Sequence, residues 1–153
     1  MQQPKPIIMT RTGYDQLVAE KEALEKERPA AVLDLKKARE MGDLSENGYY
    51  KSARSKLSSV DSRLRYLTHV LRYATVREGT TTNGVDIGLT VHLQGSSGDV
   101  VYTVVGEHEA NPQEKKISHK SPMGRALIGK KVGDNVQIIT PKGVTSYSIL
   151  KIS

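Results

Sequence analysis

The chain has no cysteine, no phenylalanine and no tryptophan among its 153 residues. Without cysteine there can be neither disulfides nor thiolate metal sites, which fits a reducing cytoplasm. Without Phe or Trp, any surface for stacking bases must be built from its 7 tyrosines. No apolar run approaches the roughly 20 residues needed to cross a bilayer, so no membrane partner is expected. The start, Met1-Gln2-Gln3-Pro4-Lys5-Pro6, lacks the apolar stretch of a secretion signal. The histidines, His69, His92, His108 and His119, show no metal-ligand spacing with the acids. The glycines from Gly124 to Gly133 come without a Walker lysine context or a preceding strand. Ser118 and Ser121 have no base at a triad-like spacing, so nucleophilic catalysis is unsupported.

What is present is a pair of helical patterns around Gly42-Asp43-Leu44-Ser45-Glu46-Asn47-Gly48. Before this turn, apolar residues fall at Leu17, Leu24, Ala31, Leu35 and Ala38, a heptad rhythm only if Lys21 and Arg28 take seam positions. After it they fall at Tyr50, Ala53, Leu57, Val60, Leu64, Leu67, Leu71 and Ala74, in alternating steps of three and four. That is the seam of a coiled coil. The economical arrangement is an antiparallel helical hairpin with Asp43 and Glu46 at its tip. A first arm from about Thr12 to Met41 would span about 45 Å at 1.5 Å per residue. It is better understood as a probe than as a compact domain.

The formal net charge of +6 is unevenly spread. From Gly48 to Arg77 the basic residues Lys51, Arg54, Lys56, Arg63, Arg65, Arg72 and Arg77 face Asp61 alone. The returning helix therefore reads as a positive stripe suited to a phosphate backbone, or as a solvated helix face. Thr10 or Thr12 can cap the first helix, and Thr12-Gly13-Tyr14-Asp15 resembles a capping box. Pro29 should bend the helix without ending it, because the apolar rhythm resumes at Ala31. Gly42 suits a helix end and Ser45 a cap for the return, with Glu46 in its first turn. Both acids can be read as merely structural, Glu46 at a helix start and Asp43 bonding the turn.

The second helix is expected to end near Arg77, and residues 79–84, polar and rich in Gly and Thr, read as a linker. Beyond it lie strand-like runs at 85–93, 100–105, 136–140 and 146–152, with turns at Gly95-Ser96-Ser97-Gly98-Asp99 and Pro141-Lys142-Gly143. Ser121-Pro122-Met123-Gly124-Arg125-Ala126-Leu127-Ile128 offers a cap, Pro at the first helical position, and a short helix. The expected class is α+β: a coiled-coil hairpin over residues 1–78, then a small β-rich domain over 85–153.

Two carboxylates three residues apart can contribute to holding a hard cation such as Mg²⁺, but too weakly unless outside ligands complete the shell. On a long arm, they become candidates for donating a metal ion or orienting a water in another protein's active site.

The segment Ala38-Arg39-Glu40-Met41-Gly42-Asp43-Leu44-Ser45-Glu46-Asn47-Gly48-Tyr49-Tyr50 closely resembles the tip of the bacterial transcript cleavage factors of the GreA/GreB family. Further similar stretches are Thr12-Gly13-Tyr14, Glu27-Arg28-Pro29, Arg63-Leu64-Arg65-Tyr66-Leu67, Tyr102-Thr103-Val104-Val105-Gly106, Glu109-Ala110, Ile117-Ser118 and Ser121 to Lys130. The resemblance implies an FKBP-like second domain that docks at the rim of the RNA polymerase secondary channel, through Ser121, Pro122, Met123 and Arg125. It implies that Asp43 and Glu46 help hold a Mg²⁺ shared with the polymerase and position the attacking water at its active centre. No cofactor is expected to stay bound to the factor alone. The tip would be supported by Gly42, Leu44, Ser45, Asn47 and Tyr50, and Arg39, Lys51 and Arg54 would contact the 3′ end of backtracked RNA. The factor would then be a monomeric, cytoplasmic accessory protein and not an enzyme, brought to nucleoid DNA and classed as DNA-binding through the polymerase. Three positions depart from the family pattern: Gly48 stands where Ala is usual, Tyr49 where Glu is usual, and Asn111 where Asp is usual. Whether the chain is of the GreA or the GreB type stays open at this point. The alternatives are a channel-binding polymerase inhibitor without cleavage activity, an FKBP-like prolyl isomerase or chaperone, and a free-RNA-binding arm.

Overall fold

The structure is a computed structural model and describes residues 2–42 and 47–153. The heptad patterns form two helices, α1 over Arg11–Arg39 and α2 over Gly48–Tyr73. By their contacts, Asp15–Tyr73 form one unit, and the segment up to Tyr14 together with Ala74–Ser153 forms another.

In the helical unit, Ala31, Leu35 and Ala38 of α1 and Ala53, Val60, Leu67 and Val70 of α2 are buried. Leu35, Ala38 and Ala53 cluster with Tyr50 and Leu57, so the seam is tightest near the turn. Further along, the expected seam position Arg28 is exposed on α1. Ion pairs between the helices take over where apolar residues run out. Arg28 donates to both carboxylate oxygens of Asp61, at 2.6 and 3.3 Å. Arg63 grips Glu20 in the same forked manner at 2.6 and 2.9 Å, and Lys56 pairs with Glu27 at 3.2 Å. These partners, with the Leu35–Ala53 contact, fix the two helices as antiparallel. Helix α1 continues through Pro29 without a break, as the resumed rhythm at Ala31 requires.

The expected end of the second helix near Arg77 is corrected to Tyr73. There the chain turns extended as β2, Ala74–Val76, and pairs in parallel with β1, Ile7–Met9. The N-terminal stretch expected as a tail is thus a strand, with Met9 fully buried. The cap of α1 is Thr10 and not Thr12: the Thr10 hydroxyl accepts from Gly13 N at 3.0 Å. Thr10 is itself fixed by Glu109, whose carboxylate accepts from Thr10 N at 2.9 Å, from Gly106 N at 2.8 Å and from the Thr10 hydroxyl. Gly13 and Gly106 make room for that carboxylate, because a Cβ on Gly13 would fall 1.8 Å from its Oε1 and one on Gly106 2.7 Å from its Oε2.

The rest of this unit is a five-stranded sheet in the order β5-β4-β3-β7-β6. Its strands are β3 Thr90–Gly95, β4 Gly98–Val105, β5 Lys116–Ser118, β6 Asn135–Thr140 and β7 Gly143–Ile152. Both expected turns are two-residue hairpins, closed by Gly95–Gly98 and Thr140–Gly143 pairs. The strand expected over 85–93 begins only at Thr90. Val85, Ile87 and Leu89 are buried alternately as in a strand, but Gly88 sits at φ 88° and breaks the extended backbone. The short helix α3, Pro122–Leu127, forms as expected, its Ser121 hydroxyl accepting from Gly124 N at 3.0 Å. Leu127, Val136, Ile149, Leu93 and Val104 close the core between α3 and the sheet.

Candidate functional site: the hairpin turn

The site is the turn between α1 and α2. After Arg39 the first helix tightens, with Glu40 N bonding Lys37 O and Met41 N bonding Ala38 O, both at 3.2 Å. Gly42 follows at φ 103°, a backbone conformation that glycine adopts freely and a residue with Cβ does not. Asp43, Leu44, Ser45 and Glu46 lie outside the described residues. The chain is described again at Asn47, which caps the return: its Oδ1 accepts from Tyr50 N at 3.2 Å. The capping role expected of Ser45 therefore belongs to Asn47, immediately before Gly48. The same side chain also donates from Nδ2 to Ala38 O at 3.3 Å. One amide thus joins the end of α1 to the start of α2, and the segment carrying both acids is bracketed by that link. Tyr50 packs against the cluster of Leu35, Ala38 and Ala53.

Around the turn, Arg39, Lys51 and Arg54 are exposed, and none has a carboxylate partner among the described residues. The positive stripe expected along α2 is thinner than its composition implies. Lys56, Arg63 and Arg77 are paired with Glu27, Glu20 and Asp86. Arg63, hydrogen-bonded to Glu20, holds that carboxyl below its ordinary range. The Arg28 hydrogen bonds lower Asp61 in the same sense. Tyr49 is half-exposed and lines a crevice of about 160 Å³ with Ala31, Asp34, Ser52, Ala53 and Lys56.

As a donor set for Mg²⁺, this chain supplies the two turn carboxylates, which are hard oxygen ligands of the right kind. The side-chain oxygen of Asn47, beside them in the chain, accepts from Tyr50 N. Any remaining ligands would come from outside the chain. Among the described residues no cluster of His, Asp or Glu could hold a metal ion.

In the β-rich unit the four residues expected to dock divide by role. The Ser121 hydroxyl caps α3 and donates to Ser118 O at 2.6 Å. Met123 packs against the core. Pro122 and Arg125 are exposed. Asn111 caps a single helical turn over Pro112–Glu114 by accepting from Gln113 N at 3.1 Å, a role that Asp would fill equally. Sequence reasoning met Glu109 only within the family-like pair Glu109-Ala110 and gave it no role, since a lone acid in a polar loop carries no pattern.

A family model for the N-terminal region of a transcription elongation factor matches residues 7–76. A second model, for the C-terminal region of the transcription elongation factors GreA/GreB, matches residues 80–153. The chain belongs to the GreA/GreB family. Among its relatives, transcription elongation factor GreA of Paracoccus denitrificans is 43% identical over 150 residues, covering 95% of this chain and 96% of that protein. That of Alkaliphilus oremlandii is 40% identical over 158 residues, covering 100% and 99%. A solved structure, GreA factor homolog 1 of Thermus thermophilus, is 27% identical, covers 97% of this chain and 99% of the other, and superposes with a TM-score of 0.46. These matches favour neither the isomerase nor the inhibitor reading. In a GreA/GreB protein the bracketed turn of this hairpin is the natural place to look for function.

Proposed function

We propose that this chain is a transcript cleavage factor of the GreA type, acting inside the secondary channel of bacterial RNA polymerase on backtracked RNA. The observation that supports the reading best is the pairing of family membership over both halves with Asp43 and Glu46 in the turn between two long helices. The chain is an accessory factor and not an enzyme by itself, because two carboxylates hold Mg²⁺ too weakly without ligands from outside. A Mg²⁺ shared with the polymerase would supply positive charge and a more acidic bound water. Asp43 and Glu46 would be this chain's ligands to it. One of the two carboxylates would orient an attacking water towards the scissile phosphate and take up its proton. Asn47 and Gly42 set the turn that carries them, and Arg39, Lys51 and Arg54 offer donors to the RNA phosphates. Pro122 and Arg125, with α3 behind them, form the docking face on the channel rim. The factor works as a monomer in the cytoplasm, reaching nucleoid DNA only through the polymerase.

The test uses stalled, backtracked polymerase complexes. Asp43→Ala and Glu46→Ala should each reduce transcript shortening by about 100-fold or more, while both still compete with the wild-type chain for polymerase. Normal cleavage by both variants would refute the reading. Loss of full-length transcript without release of short RNA would favour an inhibitor instead.

A further inference from the structure

The helical unit carries a second cationic feature that the turn does not use. An open groove of about 510 Å³ runs along α2 and is bounded on the α1 side by Arg28. Arg65, His69 and Arg72 line it at positions i, i+4 and i+7 of α2, together with the half-buried Leu64 and with Thr68. The acid in the groove, Asp61, is already held by two guanidinium nitrogens of Arg28. Arg65 bonds the Ser62 hydroxyl at 3.1 Å. Arg72 has no carboxylate partner among the described residues, and Arg65 feels the charge of Asp61 without forming an ion pair with it. Two exposed guanidinium groups therefore stand two turns apart, about 10 Å along the axis, with an imidazole between them. Arg65 lies about 26 Å along the helix from Gly48 at 1.5 Å per residue. The intervening Lys56 and Arg63 are neutralised by Glu27 and Glu20, so the groove is separate from the basic residues at the turn.

We propose that this groove seats an acidic α-helix of the polymerase, lying along α2 with its carboxylates in the same i, i+4, i+7 rhythm; the proposal rests on the polymerase reading above. A helix repeats its side chains with the same rise as α2, so three carboxylates on one face meet Arg65, His69 and Arg72 without strain in either partner. Guanidinium groups take carboxylates in a planar fork, which gives the contact direction as well as charge. Leu64 offers the apolar strip that a third helix needs between two others. Single-stranded RNA fits less well. Among the described lining residues of the groove only His69 carries a ring, and that ring packs against Tyr73 at 5.0 Å, so the groove offers no row of aromatic faces for successive bases.

The experiment uses the full chain and RNA polymerase core enzyme. A double variant, Arg65→Glu with Arg72→Glu, should bind the polymerase at least about tenfold more weakly. Its cleavage at saturating factor should match the wild type, the reverse of the turn variants. Arg72→Ala alone, which leaves the Arg28–Asp61 pair intact, should lose affinity in the same direction, and Arg65→Lys with Arg72→Lys should retain most of it. A photo-crosslinking side chain introduced at Thr68 should label an acidic helical segment of a polymerase subunit. Crosslinking to the RNA, or unchanged affinity in the two charge-removing variants, would overturn the proposal. Failure of the wild-type chain to bind polymerase would overturn the functional reading itself, and this one with it.

Discussion

Replacing Asn47 with alanine removes two hydrogen bonds that hold the turn together, and the structure separates their contributions. The bond from Tyr50 N to Asn47 Oδ1 is a helix cap, whose loss costs about 1 kcal/mol. The bond from Asn47 Nδ2 to Ala38 O is worth less, because that carbonyl also accepts from Met41 N and is not left without a partner. A value of about 0.5 kcal/mol is reasonable for it. Asn47→Ala should therefore destabilise the helical unit by about 1.5 kcal/mol, a fall of about 6–12 °C in its thermal midpoint. Asn47→Asp keeps the acceptor and loses only the donor, so it should cost about 0.5 kcal/mol. Circular dichroism melts give the totals, and hydrogen exchange at the Tyr50 amide locates them. That amide should exchange about tenfold faster in the alanine variant and near the wild-type rate in the aspartate variant. Equal destabilisation by Ala and Asp, or an alanine cost too small to measure, would refute the two-bond account.

The ion pairs between the helices should make the hairpin acid-sensitive. The folded-state pKa values of Glu20 and Asp61 are lowered by hydrogen bonds from Arg63 and Arg28, so their contribution is complete at neutral pH and fades as pH falls through those lowered values. Both pairs are largely exposed, and removing the Glu20 pair by Glu20→Gln should cost no more than about 0.5 kcal/mol at pH 7. The difference from wild type should vanish in melts at pH 2; a constant offset across the range would contradict the assignment. At the start of α1, Glu109→Ala leaves two backbone N–H groups and a hydroxyl without their acceptor. It should cost about 2–3 kcal/mol in urea denaturation, and a loss under 1 kcal/mol would argue against the anchor. Gly106→Ala places its Cβ 2.1 Å from Ile8 O and should destabilise by about 2 kcal/mol or more. Gly48→Ala meets nothing within 4 Å among the described residues and should stabilise by about 0.5 kcal/mol. The same chemical change therefore has opposite signs at two sites, as paired melts would show.

The sequence made the helices legible because a heptad seam is a local, repeated signal: Leu35, Ala38, Ala53, Val60 and Leu67 are buried where the rhythm puts them. It could not show what replaces the seam at Arg28, since Asp61 lies on the other helix. The same long-range pairing hid the charge balance of α2, whose basic residues look free until Glu20 and Glu27 are placed beside them. Strands β1, β2 and β5 have three residues each, too short for a period, and exist only through partners far along the chain. Over 85–89 alternation was a true sign of burial but a false sign of a strand, because Gly88 turns the backbone while burial stays alternate. At the turn, Ser45 and Asn47 are both plausible caps by type, and only the hydrogen bond to Tyr50 N decides between them. The two acids stood out in the sequence for their place between the helical patterns, not for their spacing.

Because Ile7–Met9 and Ala74–Val76 lie side by side in parallel register, the chain departs for the hairpin and comes home at neighbouring points. Everything between behaves as an insertion into the β-rich unit. Its length can therefore change in matched steps, seven residues taken from or added to each leg, with both crossing points left where they are. An alteration to one leg alone would slide Arg28 past Asp61 and Glu20 past Arg63. In this protein, reach is a quantity that evolution or an engineer can adjust only in pairs.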